Sequence, residues 1–496
     1  MLDRPREGTA RTGPRDPFAD RRHRRRAVTL LLMTLLVPGS AQLVSGRREV
    51  GRLALRVWLS LLGLLLVVGV LALVSRRSLL WLATQGWVLL AGQVLLAAVA
   101  VGWALLFVDA WRIGRPDRLP LADRRVLLVA LLVALLAPGV VGWTAMGVGS
   151  ARSAMATVFG SGTAAATAEG RYNILLLGGD SGGDRVGLRP DSIQLASIDA
   201  ATGRAVLFGF SRETENIRFR PGSVMAGLMP EGWTCGDECL LNALYTWGQE
   251  HRAEFPRGTR NPGLLATTEA VEAISGLDIQ YYVMADLKGF SSVVDAIGGL
   301  DITVQRRTPI GGNATPISGW IEPGHRHLDG HDALWYARSR VGSTNYERMA
   351  RQRCVVTALV RQLDPPTVAL NFRDIVGASK GLVRTNIPQD ALAELAGVAI
   401  KTKQEKITSV NFVPPLMKPW DYDPARVHGI VAKAIATSEA GPKPRTGQAP
   451  AASAVPKASP TAAVPTPTPS TPAVMERPGT DPDANTGDLA SVCSAG

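Results

Sequence analysis

The stretch that decides the fold is residues 171–214, RYNILLLGGDSGGDRVGLRPDSIQLASIDAATGRAVLFGFSRET. It holds three apolar runs, at 174–177, 193–198 and 205–210, separated by glycine-rich and polar turns. Continuous apolar runs of this length predict strands buried on both faces. The first ends in Gly178-Gly179-Asp180, where glycine lets the backbone approach a ligand closely. Arg189 and Asp191 stand just before the second run, and Arg212 and Glu213 just after the third. Strand entries and exits therefore gather Asp180, Arg189, Asp191 and Arg212 at one edge of a sheet. Carboxylate oxygens hold Mg²⁺, and planar guanidinium forks hold phosphate oxygens. The mixture points to phosphate chemistry rather than to an organic acid–base reaction.

Working outward, residues 240–249 and 262–275 have helical apolar spacing, the second opening on Pro262 and closing at Gly276. Residues 280–284 read as a strand, 287–297 as a helix closed by Gly298-Gly299, and 300–304 as a strand. Residues 333–340 are expected to be a strand, 347–363 a long helix stopped by Pro365-Pro366, 389–400 a helix and 407–413 a closing strand. Strands interleaved with helices predict an α/β sandwich.

Six motifs, in order, carry a family resemblance. They are residues 173–180 with Arg189-Pro190-Asp191-Ser192, then Ser211-Arg212-Glu213-Thr214, residues 295–300, Leu328-Asp329-Gly330, residues 336–340, and the trio Arg348, Arg351 and Gln352. Together they resemble the LytR-CpsA-Psr domain over roughly residues 171–435. Two departures stand out: the family's Pro-Arg-Asp-Thr is Ser211-Arg212-Glu213-Thr214 here, and its acidic residue before the helix arginines falls at Asn345-Tyr346-Glu347.

The resemblance implies an α/β/α sandwich with a mixed central sheet. It also implies transfer of a glycopolymer from a polyprenyl-pyrophosphate carrier to peptidoglycan outside the membrane, leaving a phosphodiester. On that reading Arg189, Arg212, Arg338, Arg340, Arg348, Arg351 and Gln352 bind the pyrophosphate. Asp180 and Asp191 hold Mg²⁺, and Asp191, Arg212, Arg338 and Arg340 are catalytic. Asp191 or Glu213 is the base by proximity. Hydrolysis of the carrier and a membrane-bound transcriptional attenuator are the competing readings.

The 496-residue chain carries a net charge of +12, which invites a nucleic-acid reading. Position argues otherwise. Residues 1–148 hold 20 arginines and 8 acidic residues, so the whole excess lies there and the remainder balances. Those arginines flank apolar segments at 27–45, 53–75, 79–110 and 126–148, which is the pattern of membrane topology. The last three are long enough to span, at roughly 20 residues per crossing. The first is broken after Val37 by Pro38-Gly39, and is expected to enter and return.

This divides the chain into a disordered basic cytoplasmic arm (1–26), a membrane region (27–148) and a flexible linker (149–170). A catalytic domain outside the membrane (171–436) and a disordered Pro/Ala/Thr-rich tail (437–496) follow. The partners expected are the lipid-linked glycan, peptidoglycan and the membrane, with no nucleic acid.

Four cysteines are few. Cys235 and Cys239, four apart, suit a small disulfide loop in an oxidising compartment. Cys354, in an apolar helical run, reads as a buried free thiol, and Cys493 as unpaired. His325, His327 and His331 beside Asp329 offer zinc-ligand types without a supporting second shell, so zinc is not expected.

Overall fold

The computed structural model describes residues 17–75, 82, 85–159, 164–180, 189–312, 315–362 and 383–440. The chain divides into two compact units, Met1–Ala156 and Thr157–Gly496.

The first unit is helical: α1 (Pro17–Leu36), α2 (Ser40–Val44), α3 (Arg48–Val74), α4 (Gly86–Ile113), α5 (Leu121–Ala134) and α6 (Leu136–Val158). Three stretches, Arg48–Val74, Gly86–Ile113 and Leu121–Ser153, are long and apolar enough to cross a membrane. The chain turns between α1 and α2 at Gly39, whose φ is 94°. A Cβ there would lie 2.6 Å from Ala54 Cβ, so the turn and α3 can meet only at glycine. Gln42, fully buried, donates to the Leu106 carbonyl at 3.0 Å and to Asp109 at 3.3 Å.

Two expected boundaries move. Residues 17–26 are helical rather than disordered, because α1 starts at Pro17. Arginine is a good helix former, and a helix nucleated in the apolar turns extends through such residues at little cost. Arg24 pairs with Asp123 on α5. The expected linker is likewise helical through Val158.

The second unit is built on a six-stranded sheet in the order β10-β3-β2-β1-β4-β9. Its members are β1 (Arg171–Asp180), β2 (Arg189–Asp199), β3 (Ala205–Phe210), β4 (Tyr281–Asp286), β9 (Val383–Thr385) and β10 (Thr408–Phe412). The sheet is mixed: β1–β2, β2–β3 and β4–β9 run antiparallel, β1–β4 and β3–β10 parallel.

Strand alternation sends Leu175 and Leu177 to one face and Ile174 and Leu176 to the other. The first face packs on α8 (Ala243–Glu250), α9 (Pro262–Ser275) and α14 (Pro424–Ala440), with the short α7 (Val224–Leu228) beside them. Phe210 and Phe412 stack within this core at 5.3 Å. The opposite face is covered by α10 (Leu287–Ala296), α11 (Gly330–Arg338), α12 (Asn345–Gln362) and α13 (Gln389–Gln404). This is the α/β/α sandwich expected. Two small antiparallel ladders, β5 (Leu300–Val304) with β8 (Gly324–Leu328) and β6 (Thr308–Gly312) with β7 (Thr315–Ile321), complete the unit.

Residues 333–340, expected to be a strand, are the body and exit of α11. The Asp329 side chain accepts the Asp332 amide at 2.8 Å and caps that helix, and a cap at the right place outweighs the β preference of Trp335 and Tyr336. Residues 437–440, assigned to the tail, are the last turn of α14. Cys235 and Cys239 form a disulfide. Cys354 is buried but disulfide-bonded rather than free. Cys493 lies outside the described residues.

Candidate functional site

A cavity of about 860 Å³ lies between the second face of the sheet and helices α10, α11 and α12. One helix explains its character. Arg348 and Gln352 on α12 line it, followed along the same face by Val355, Val356, Leu359 and Val360. Spacings of three and four keep these on one stripe. At 1.5 Å per residue the wall runs about 18 Å from a charged end to an apolar one. The strands repeat the gradient: Leu176 and Val283 line the apolar part, Gly178, Gly179 and Asp286 the polar one. Phe290 of α10 and Leu334 of α11 close the apolar walls.

The charged end is assembled from four places in the chain. Between β1 and β2 the register slips at Gly178/Gly179, so that Gly178 faces Ser192 and Gly179 faces Pro190. Asp191 is the extra residue of this bulge, a device that re-aims a side chain out of the ladder. Arg212 lies two residues past β3, held by its carbonyl accepting the Asn242 amide at 3.2 Å. Arg338 ends α11, its guanidinium 4.9 Å over the Trp335 ring. Arg340 follows in the turn to α12, and Arg348 lies in the first turns of α12.

Asp191 is the hub. Its Oδ1 accepts from Arg212 Nη1 at 2.6 Å, its Oδ2 from Arg340 Nη2 at 3.5 Å, and its carbonyl from Arg348 Nη2 at 3.3 Å. Burial pushes the Asp191 carboxyl up, but Arg212, Arg348 and Arg340 together outweigh it and hold the group below the usual carboxylate range. Burial and then the neighbouring Arg340 charge lower Arg348 to about 10, so it remains cationic at neutral pH. Five arginines line the cavity. The buried Nε atoms of Arg212 and Arg348 have no hydrogen-bond partner among the described residues. Buried cationic donors without acceptors are costly and call for an anion.

The structure brings Arg189, Asp191, Arg212, Arg338, Arg340, Arg348 and Gln352 to this one cavity. Arg338 and Arg340 do not share a strand face, since they sit at a helix end and in the turn beyond. Arg351 is not among the lining residues. It turns back and donates to the Tyr336 carbonyl at 2.8 Å, to Ser343 Oγ at 3.1 Å and to the Ser339 carbonyl. It fixes the turn that presents Arg338 and Arg340.

The backbone of Asp180 ends β1 opposite Arg189, at the same end of the sheet as Asp191, and its side chain lies outside the described residues. Asp191, held ionised at this strand end, offers oxygen donors of the kind a hard divalent cation takes.

Sequence reasoning missed Asp286, Trp335 and the apolar stripe of α12. The stripe at 355, 356, 359 and 360 lies within the helix read over 347–363. Helix α9 belongs to the other face of the sheet, and α10 contributes Phe290 to the cavity wall. Glu347, the uncertain acidic position, forms a capping box: the Thr344 amide donates to Oε2 at 2.6 Å, and the Glu347 amide donates to Thr344 Oγ1 at 3.1 Å. Asp329, His331 and Asp332 come within 4.8 Å of one another. Their contacts are those of the α11 cap.

Residues 149–418 match the model of the LytR_cpsA_psr family. The chain is 24% identical over 225 residues to a polyisoprenyl-teichoic acid–peptidoglycan teichoic acid transferase TagU of Bacillus cereus, over 45% of this chain and 63% of that protein. It is 25% identical over 251 residues to the protein of the same name from Enterococcus faecalis, over 49% and 71%. The chain thus spans under two thirds of the first of these relatives. Among solved structures, B. subtilis TagV aligns at 20% identity with a TM-score of 0.39, over 55% of this chain and 98% of that one.

Proposed function

The chain belongs to the LytR_cpsA_psr family, and on that premise we propose that it is a membrane-anchored phosphotransferase. It moves a glycopolymer from a polyprenyl-pyrophosphate carrier to peptidoglycan, on the outer side of the membrane. One observation carries the reading: a single cavity joins an apolar wall to a charged end lined by five arginines, three of which bond Asp191. A prenyl chain followed by a pyrophosphate has that same order of chemistry.

The prenyl tail lies along Val356, Leu359, Phe290 and Leu334, where burial of its methylenes supplies affinity. Arg189, Arg212, Arg338, Arg340 and Arg348 surround the pyrophosphate. Planar guanidinium forks take phosphate oxygens bidentately. Asp191 keeps Arg212 and Arg340 in place, and Arg351 keeps the 338–340 turn in place. These donors are set before the reaction and aim at oxygens whose charge grows as the bridging P–O bond breaks. Mg²⁺ would be held by Asp180 and Asp191, and when bound it supplies further neutralisation of phosphoryl charge. A hydroxyl of peptidoglycan attacks the sugar-side phosphorus, and polyprenyl phosphate leaves.

The test is a transfer assay on the full-length protein in detergent, with a prenyl-pyrophosphate-linked glycan and a soluble peptidoglycan fragment. Transfer requires a glycan–peptidoglycan phosphodiester that forms only with the fragment present. Release of the glycan phosphate to water at the same rate with and without fragment would instead establish the hydrolase. A regulatory role would leave the carrier untouched in both arms.

A further inference from the structure

The reaction needs a group to take the proton from the acceptor hydroxyl, and we propose that Glu213 is that base. The proposal rests on the transfer reading above. Four carboxylates in or beside the charged end are described with their side chains, and three are committed elsewhere. Asp191 has both oxygens accepting from arginines, Oδ1 at 2.6 Å and Oδ2 at 3.5 Å. Asp286 Oδ1 accepts the Gly289 amide at 2.7 Å and caps α10. Glu347 is held in the capping box and pairs with Arg306 at 2.8 Å.

Glu213 is different. Among the described residues its carboxylate has one ion-pair partner, Arg212 Nη2, at a loose 3.4 Å, and its side chain is 40% exposed. It flanks the same guanidinium that Asp191 grips through Nη1, so one planar fork joins a tightly held carboxylate to a loosely held one. A phosphoryl group seated on Arg212 therefore has Glu213 beside it. The acceptor is a polymer that arrives from solvent, and of the two carboxylates on Arg212 Glu213 is the more exposed, 40% against 32% for Asp191. Arg340, Arg348 and Tyr346 surround it closely enough to feel its charge.

The step balances as follows. The acceptor O–H gives its proton to the Glu213 carboxylate while its oxygen bonds to the sugar-side phosphorus. The bond from that phosphorus to the bridging oxygen breaks. The bridging oxygen departs with the electron pair as part of polyprenyl phosphate, whose charge the arginines receive. Glu213 then returns the proton to water.

The experiment compares wild type, Glu213→Gln and Glu213→Asp as full-length proteins in the transfer assay, with farnesyl pyrophosphate affinity measured separately. Glu213→Gln is expected to lower kcat about 10²–10⁴-fold, the usual range for loss of general-base catalysis, with the Kd for farnesyl pyrophosphate unchanged. Glu213→Asp is expected to recover part of kcat. A Glu213→Gln protein that transfers at the wild-type rate overturns the proposal. So does one that loses affinity in step with rate, because that marks Glu213 as a support for Arg212. A wild type that forms no acceptor-dependent product fails earlier and overturns the transfer reading itself.

Discussion

Arg212 and Asp191, 21 residues apart in sequence, meet with Nη1 2.6 Å from Oδ1 at the charged end of the cavity. The contact ties the exit of β3 to the bulge of β2. Removing the guanidinium leaves a carboxylate without its nearest counter-charge and takes one positive charge from the anion's surroundings. Arg212→Ala is therefore expected to weaken prenyl-pyrophosphate binding by about 2 kcal/mol, roughly thirtyfold in Kd. Titration calorimetry on the detergent-solubilised protein measures it.

Val356 lines the apolar wall eight residues beyond Arg348 on the same helix face. Val356→Trp fills part of the space assigned to the prenyl chain without touching an arginine. It is expected to lower affinity for a long prenyl pyrophosphate at least about tenfold, as a few buried methylenes at 0.8 kcal/mol each imply. Inorganic pyrophosphate should bind as before. Competition binding with the two ligands separates the effects.

Arg351 supports the site without entering it. Its bonds to Tyr336, Ser339 and Ser343 are partly buried, and hydrogen bonds to charged groups contribute about 1.5–3 kcal/mol each when made. Arg351→Lys cannot reproduce a planar fork reaching three acceptors. Its melting temperature and its pyrophosphate affinity are expected to fall together, whereas Gln352→Ala, which lines the cavity, should lower affinity alone.

Away from the site, Glu272 on α9 gives a pH test of the fold. Burial pushes its carboxyl above the ordinary 4.5, although it accepts the Ile279 amide at 2.8 Å. A raised folded value means that stability is fully present below the unfolded value near 4.5 and is lost as pH rises through the folded one. Glu272→Gln keeps an oxygen for Ile279 and removes the titration. The variant's melting temperature should gain on wild type as pH rises from 4 to 7, and a gap independent of pH would contradict this.

The sheet and most of its helices were legible because local and global signals agreed. The mainly apolar runs 174–177, 193–198 and 205–210 lie inside β1, β2 and β3. Pro262 and Gly276 bracket α9 at the residues read from sequence, with Asn261 capping the Leu264 amide. Where the signal was local but contrary, the reading failed: Trp335 and Tyr336 favour strand, yet the Asp329 cap starts a helix. The helix α14 was missed although Val427 and Val431 recur at one-turn spacing, because the loop before it masks the period.

At the site, the residue set was legible as motifs, and the arrangement was not. Nothing in the sequence separates Arg348, which faces the cavity, from Arg351, three positions on, which holds a turn. That distinction depends on where the 336–343 carbonyls lie. Nor could the stripe at 355–360 be told from core, since a cavity wall and a packed core use the same side chains.

The central claim is that the arginines hold the pyrophosphate of a prenyl carrier whose tail lies in the cavity. The most direct measurement is the affinity of the full-length protein for farnesyl pyrophosphate against farnesyl monophosphate, in wild type and in Arg338→Ala/Arg340→Ala. The account predicts a preference for the pyrophosphate in wild type that collapses in the double variant. Equal affinity for the two ligands, or a preference that survives loss of both arginines, would contradict it.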